Sequence, residues 1–297
     1  MELCLGTVQF GMDYGILNQR KPPLSDALAW MDYATQNGIT AIDTARAYGN
    51  AEEIVGEFLK KKTLPREKLV ISTKFKPNLL NDVSAKQYEL VIEKELKSQL
   101  KILHTDYVDA YIFHSARYAF DESKLSAIYR MKEKGLAKRV GVSVYEPEEA
   151  LVCFKSPYVD FIQAPYSVFD HRMKDSGVLD SEKRGECIVD TRSAFIQGLI
   201  VLDEEQVPKY LEEAKPIVRK IKLLCEESGV SRVHLAIQYV KREQNISHLV
   251  FGVDSLEQLK EDIRFFNESL PEDLLESIGK EFEGLKANIV MPSLWKK

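Results

Sequence analysis

Four side chains of different acid–base character stand where short apolar segments end: Asp43 closes "TAID", Tyr48 follows in the next loop, Lys74 closes "VISTK" and His114 closes "DAYIFH". A free tyrosine, ionising near pH ~10, is a sluggish proton source at neutral pH. A lysine ammonium beside its oxygen stabilises the phenolate and lowers that value, while an aspartate keeps the lysine charged and aimed. A histidine binds and orients the oxygen being protonated and adds a second donor to it. Such a set can protonate an oxygen that is gaining negative charge, as a carbonyl oxygen does when its carbon receives a hydride. Taken singly, these residues read as an Asp–Lys ion pair with an ordinary core tyrosine and histidine. Their shared placement at strand ends argues for one acid–base system.

Elements that place them so are legible in the alternation of short β-branched runs with amphipathic stretches, punctuated by Gly, Pro, Asn or Asp. The pattern predicts eight strands, at Leu3–Gln9, Thr40–Thr44, Leu69–Lys74, Tyr107–His114, Arg139–Val144, Phe161–Tyr166, Cys187–Thr191 and His248–Gly252. Helical patterns follow them at Ser25–Asn37, Ala51–Lys62, Gln87–Leu103, Glu122–Lys134, Pro147–Phe154, Arg172–Lys183, Glu213–Glu227 with Val233–Arg242, and Leu256–Phe266. Ser25 is placed to open the first helix, and Gly38, Gly135 and Gly229 to close three of them. Eight strand–helix units close most economically into an α/β fold of the (β/α)8 TIM-barrel type, one domain over residues 1–297. An open doubly wound sheet would call for Gly-x-Gly-x-x-Gly after the first strand, and Gly6, Gly11 and Gly15 are wrongly spaced for it. In a barrel, residues at the carboxyl ends of adjacent strands, about 4.8 Å apart, converge on one face.

The segments "GITAIDTARAYGNAEEIVG", "VISTKF" and "DYVDAYIFHS", followed by "RVGVSVYEPEE", "IQAPYSVFD" and "VFGVDSLEQLKEDI", resemble in wording and order the blocks of the aldo-keto reductase family. The resemblance runs over nearly the whole chain. It implies an NAD(P)(H)-dependent oxidoreductase that reduces an aldehyde or ketone without a metal, with Asp43, Tyr48, Lys74 and His114 as catalytic residues and Tyr48 as general acid. It also implies that Ser143 and Gln163 hold the nicotinamide carboxamide, beside Val144 where the family usually has Asn. Arg192 takes the position of the tyrosine that usually stacks on the ring; its planar guanidinium can also stack, but its charge disfavours the oxidised, cationic form. After the eighth strand, where the family's basic residues hold a 2′-phosphate, this chain has Gly252, Asp254, Ser255 and Gln258. NADP(H) is the first expectation on family grounds and NAD(H) the rival, with Gly252, Ser255 and Gln258 as cofactor contacts.

Substrate contacts are expected at Tyr14, Arg46 and Arg117, with Ser115, Tyr118 and Trp295 as further pocket lining, since barrel specificity is written in loops. With two arginines at the mouth, the substrate reads as a hydroxylated or anionic carbonyl compound such as a sugar derivative. Gln9, Tyr111 and Phe113 also lie near strand ends but are not counted among these contacts, because alternation along a strand sends roughly half of such residues into the wall. Two other readings use the same residues: a regulatory barrel that senses cofactor, and an epimerase or dehydratase that recycles it.

Composition excludes several classes. A net charge of −5 without a basic stripe is not a nucleic-acid footprint, and Lys60–Lys62 reads as the solvated end of a helix. Cys4, Cys153, Cys187 and Cys225 lack metal-ligand spacing and read as buried free thiols. No serine-hydrolase elbow, zinc-protease pair or P-loop occurs. No apolar run reaches the length of a membrane span and Met1–Phe10 lacks signal-peptide character, so the expected compartment is the cytoplasm. The remaining expectations are a small-molecule carbonyl partner, no membrane partner, and a monomer or loose homodimer.

Overall fold

A computed structural model describes residues 1–17 and 19–296, the side chains of residues 181 and 183 excepted. Its eight strands are β1 (Glu2–Gly6), β2 (Ala41–Asp43), β3 (Val70–Phe75), β4 (Val108–Phe113), β5 (Ala137–Ser143), β6 (Phe161–Pro165), β7 (Ile188–Arg192) and β8 (His248–Phe251). Each pairs in parallel with its sequence neighbours, and β8 returns to β1, closing the predicted barrel. The strands are short and mostly buried because both faces are covered, one by the barrel interior and the other by helices. Register carries the polar ends together: Gly6 lies opposite Asp43, Asp43 opposite Ser72, Lys74 opposite Ile112, and Ser143 opposite Gln163.

Helix boundaries fall within a few residues of the sequence reading except over Arg172–Lys183 and past Phe266, and one expected start differs in its cap. The helix Leu24–Gln36 starts from Pro23, whose fixed φ of −56° suits an N-terminal boundary, so Ser25 lies inside it and its hydroxyl donates to Asp26. The single helix expected over Arg172–Lys183 is two short turns, Arg172–Asp175 and Ser181–Arg184. Gly177 adopts a positive φ of 76°, and the Val178 N–H bonds back to the Met173 carbonyl, which ends the first turn. Past Phe266 the sequence reading assigned nothing, yet helices form at Glu272–Lys280 and Ala287–Val290. Phe282 packs against Phe169 with ring centroids 4.9 Å apart, fixing this tail to the barrel. Gly38, Gly135 and Gly229 have positive φ, as expected for helix ends. All four cysteines are free and buried. Among the described residues no helix is long and apolar enough to cross a membrane.

One backbone contact matters for the site. The turn Val8–Gly11 after β1 lies directly against the loop that carries Tyr48, where the Asn50 N–H donates to the Gly11 carbonyl. A Cβ on Gly11 would stand 1.8 Å from the Tyr48 carbonyl oxygen, and one on Gly49, whose φ is +58°, would stand 2.2 Å from that of Gly11. Only two bare backbones allow this approach. Gly11→Ala is expected to lose about 1–3 kcal/mol of stability from overpacking. Because a displacement of ~1 Å at a reacting group can cost ~10²-fold in rate, kcat should fall by about that factor; denaturant unfolding alongside steady-state kinetics reads both.

Candidate active site

The four acid–base residues meet at the carboxyl ends of β2 to β4. Lys74, 1% exposed, donates from Nζ to both carboxylate oxygens of Asp43, at 2.7 and 2.6 Å, and to the Thr44 carbonyl at 3.1 Å. Asp43 Oδ1 also accepts from the Ser72 hydroxyl at 3.0 Å and from Gln163 Nε2 at 2.9 Å. A buried ion pair persists only when its remaining lone pairs and protons are satisfied, and here β2, β3 and β6 contribute to that end. The ring of Tyr48 lies over this pair, with Lys74 Nζ 4.9 Å from its centroid. His114 meets Tyr48 edge-on, centroids 5.6 Å apart at 87°.

This geometry corrects one part of the sequence reading. The three N–H bonds of Lys74 are spent on Asp43 and Thr44, so the ammonium addresses the Tyr48 ring instead of donating to its oxygen. Burial, followed by the charge of Asp43, raises the Tyr48 pKa above the ordinary tyrosine value; Arg192 opposes the rise. Tyr48 therefore holds its proton at neutral pH, as a proton donor must. The pKa of His114 is depressed to about 3 by burial, then by Lys74 and Arg192, so its ring is neutral and bonds as a neutral imidazole. Its Nδ1 is buried and without a partner among the described residues.

Above these residues lies a cavity of about 470 Å³. Asp43, Tyr48, His114, Ser143, Gln163, Arg192, Gly252, Gln258 and Tyr14 all line it, as does Asp254. Gln163 Oε1 is buried without a partner, an acceptor suited to a carboxamide N–H₂. Arg192 donates to the Val144 carbonyl at 2.8 Å and the Ser193 hydroxyl at 3.2 Å, and its guanidinium lies 4.4 Å from the Tyr145 ring centroid. Ser255 does not line the cavity: its hydroxyl caps its own helix, Leu256–Asn267, by accepting the Gln258 N–H at 3.1 Å. The Gln258 side chain in turn accepts the Asp254 N–H at 2.7 Å.

Several expected substrate contacts lie elsewhere. Arg46 points back into the wall, paired with Glu52 at 3.2 Å and Glu95 at 3.2 Å. Glu52 is buried, and Thr73 and Gln99 also donate to it, so Arg46 anchors the Tyr48 loop. Arg117 donates to Asn78 at 2.7 Å on the outer side, Ser115 bonds the same asparagine, and the Tyr118 hydroxyl bonds Asn81 and the Leu80 N–H. Trp295 is buried, its indole N–H on the Ile289 carbonyl. Its neighbours Pro292 and Ser293 reach the cavity instead. Gln9, not counted among the expected contacts, lines the cavity and donates to the Gln19 and Arg20 carbonyls, holding the loop that presents Tyr14. The segment Ser193–Leu202 was not anticipated. It supplies much of the lining, with Ile196 and Gln197 at positive φ and the Gln197 carbonyl accepting the Ile16 N–H at 3.0 Å.

A closed parallel barrel with a tyrosine set over a buried Lys–Asp pair and beside a neutral histidine defines an acid–base site of the carbonyl oxidoreductase class. The family model described as "Aldo/keto reductase family" matches residues 2–280, and the chain belongs to that family. It is 27% identical over 264 residues to the NADH-specific methylglyoxal reductase of Escherichia coli K12, covering 78% of this chain and 80% of that one. Against the L-glyceraldehyde 3-phosphate reductase of the same organism it is 28% identical over 269 residues, covering 77% and 75%. A solved aldo-keto reductase from Bacillus halodurans in its holo form shares the fold, with a TM-score of 0.73 at 22% identity over 99% of this chain and 95% of that one.

Two outcomes follow from the site's electrostatics. Asp43→Asn leaves the Lys74 charge buried and unbalanced, so unfolding should show a loss of about 3–5 kcal/mol; the double variant Asp43→Asn, Lys74→Met should regain much of this without regaining turnover. His114 is neutral when folded and titrates near its ordinary value when unfolded, so the unfolded chain binds more protons between pH ~6.5 and ~3. Its contribution to stability is therefore fully present above that window and lost as pH falls through it. Its imidazole NMR signals at pH 5 should be those of the neutral ring, and protonation at pH 5 would contradict the assignment.

Proposed function

We propose that this protein reduces an aldehyde or ketone to an alcohol with a nicotinamide cofactor, Tyr48 acting as the general acid. The observation that carries this reading is the convergence of Tyr48, His114 and the Lys74–Asp43 pair beneath a cavity whose floor holds an unpartnered Gln163 oxygen. Ser143 and Gln163 are the residues that would hold the nicotinamide carboxamide. When bound, the cofactor supplies the hydride. Tyr48 gives its proton to the carbonyl oxygen as charge develops there; an alkoxide is more basic than a phenolate, so the transfer runs downhill even from a tyrosine of raised pKa. Arg192 favours the resulting phenolate, while the Lys74 ammonium lies 4.9 Å from the centroid of its ring. His114, neutral, donates a hydrogen bond to the same oxygen and sets the substrate's orientation.

NADP(H) was the first expectation, and the cavity favours NAD(H). Among the described residues Arg192 is the only arginine or lysine that lines it. At the far end stand Leu202, Val233, Gly252, Asp254 and Gln258. The Ser255 hydroxyl and the Gln258 side chain are engaged with their own helix start, and the Asp254 carboxylate opposes a phosphate while suiting a ribose hydroxyl. The relative named NADH-specific points the same way. With Arg46 and Arg117 outside the cavity, its lining offers Tyr14, Gln19, Ser193 and Gln197 beside Ile16, Leu17 and Phe195. That mixture suits a small oxygenated aldehyde or keto compound, sugar-derived carbonyls among them.

Tyr48→Phe should lower kcat by about 10²–10⁴-fold and leave the NADH dissociation constant nearly unchanged, read by nicotinamide fluorescence. Titration with NADPH should give weaker binding than NADH. If neither binds at millimolar concentration, the reductase reading fails.

A further inference from the structure

We propose that Arg192 makes this site selective for the redox state of its cofactor, holding the reduced nicotinamide in preference to the oxidised one. The inference rests on the nicotinamide reading above. Arg192 ends β7, and its half-buried guanidinium lines the cavity. Its bond to the Val144 carbonyl sets the charge one residue from Ser143, and Arg192 pairs with Pro165, two residues beyond Gln163. The cation therefore borders the place where the unpartnered Gln163 oxygen would receive a carboxamide.

No carboxylate pairs with Arg192 among the described residues; its partners are a carbonyl, a hydroxyl and the face of Tyr145. Asp43, the buried acid that lines the cavity, is matched by Lys74 at 2.6 Å, and Asp190, buried two residues before Arg192, is paired with His248 at 2.9 Å. Asp254 lies at the end of the cavity that follows β8. The local charge around the ring position is thus a net positive one. Oxidised nicotinamide carries a positive charge on its ring and the reduced form carries none, while the rest of the dinucleotide is the same in both. A guanidinium against that ring penalises one form alone, and weak retention of the oxidised form speeds its exchange for a fresh reduced molecule.

The test measures dissociation constants for NADH, NAD⁺ and ADP-ribose, by tryptophan quenching and calorimetry, on the wild type, Arg192→Gln and Arg192→Lys. ADP-ribose keeps both phosphates and lacks the ring. The expected result is that the ratio of NAD⁺ to NADH dissociation constants falls by roughly tenfold or more in the Gln variant, stays near wild type in the Lys variant, and is accompanied by little change for ADP-ribose. An unchanged ratio in the Gln variant overturns the proposal. So does a parallel weakening of ADP-ribose, because Arg192 would then be gripping the phosphates. If wild type binds ADP-ribose but neither nicotinamide form more tightly, the nicotinamide reading itself has failed; thermal melts of both variants establish that they are folded.

Discussion

The Lys74–Asp43 ion pair is the interaction on which the rest of the site depends. It lies below the surface of a closed barrel, where an unmatched charge would be untenable, and its satisfaction draws on Ser72 from β3, Gln163 from β6 and the Thr44 carbonyl after β2. Those partners hold two further parts of the site. Gln163, fixed through its amide nitrogen on Asp43, is left with its oxygen facing inward. Tyr48 rests its ring over the ammonium, and His114 meets that ring edge-on. One electrostatic requirement thus orients both the Gln163 amide and the Tyr48 ring.

The parts of this arrangement that were legible in the sequence are those set by strand periodicity. Polar residues closing apolar runs, such as Asp43, Lys74 and His114, stand out because nothing about a packed strand calls for them. Tyr14 and Gln258 also reach the cavity, and Ser143, Gln163 and Arg192 line it where the family resemblance put them. Loop arginines carry no such signal. Arg46 and Arg117 looked like mouth residues by position, yet each found an oxygen partner away from the cavity: Glu52 and Glu95 for one, Asn78 for the other. A long side chain can take either direction, and the choice depends on which oxygen partners the fold brings within reach.

Ser193–Leu202 was illegible for a different reason. Ile196 at φ 47° and Gln197 at φ 54° adopt a left-handed backbone that their side chains disfavour, so local propensity argues against the observed shape. It is retained by a tertiary contact, the bond from the Ile16 N–H to the Gln197 carbonyl, and by the local turn closed by the Gly198 N–H on Phe195. Strain of this kind clusters at functional sites, and here it lies on the cavity wall. The redrawn helix boundaries have a similar origin, since Pro23 and Gly177 act through fixed or freed φ values that the hydrophobic pattern does not register.

The bare contact between Gly11 and the Tyr48 carbonyl bears on how this scaffold can be redesigned. Loops that line the cavity from β7 and from the C-terminal tail lie apart in sequence from the Tyr48 loop, so they can be exchanged piecemeal to admit new substrates. The turn after β1 and the loop after β2 have no side chain between them at this point to absorb an altered shape. They behave as one cassette, to be grafted together between relatives or left alone, and a chimera whose junction falls between them would inherit an acid out of register with its own active site.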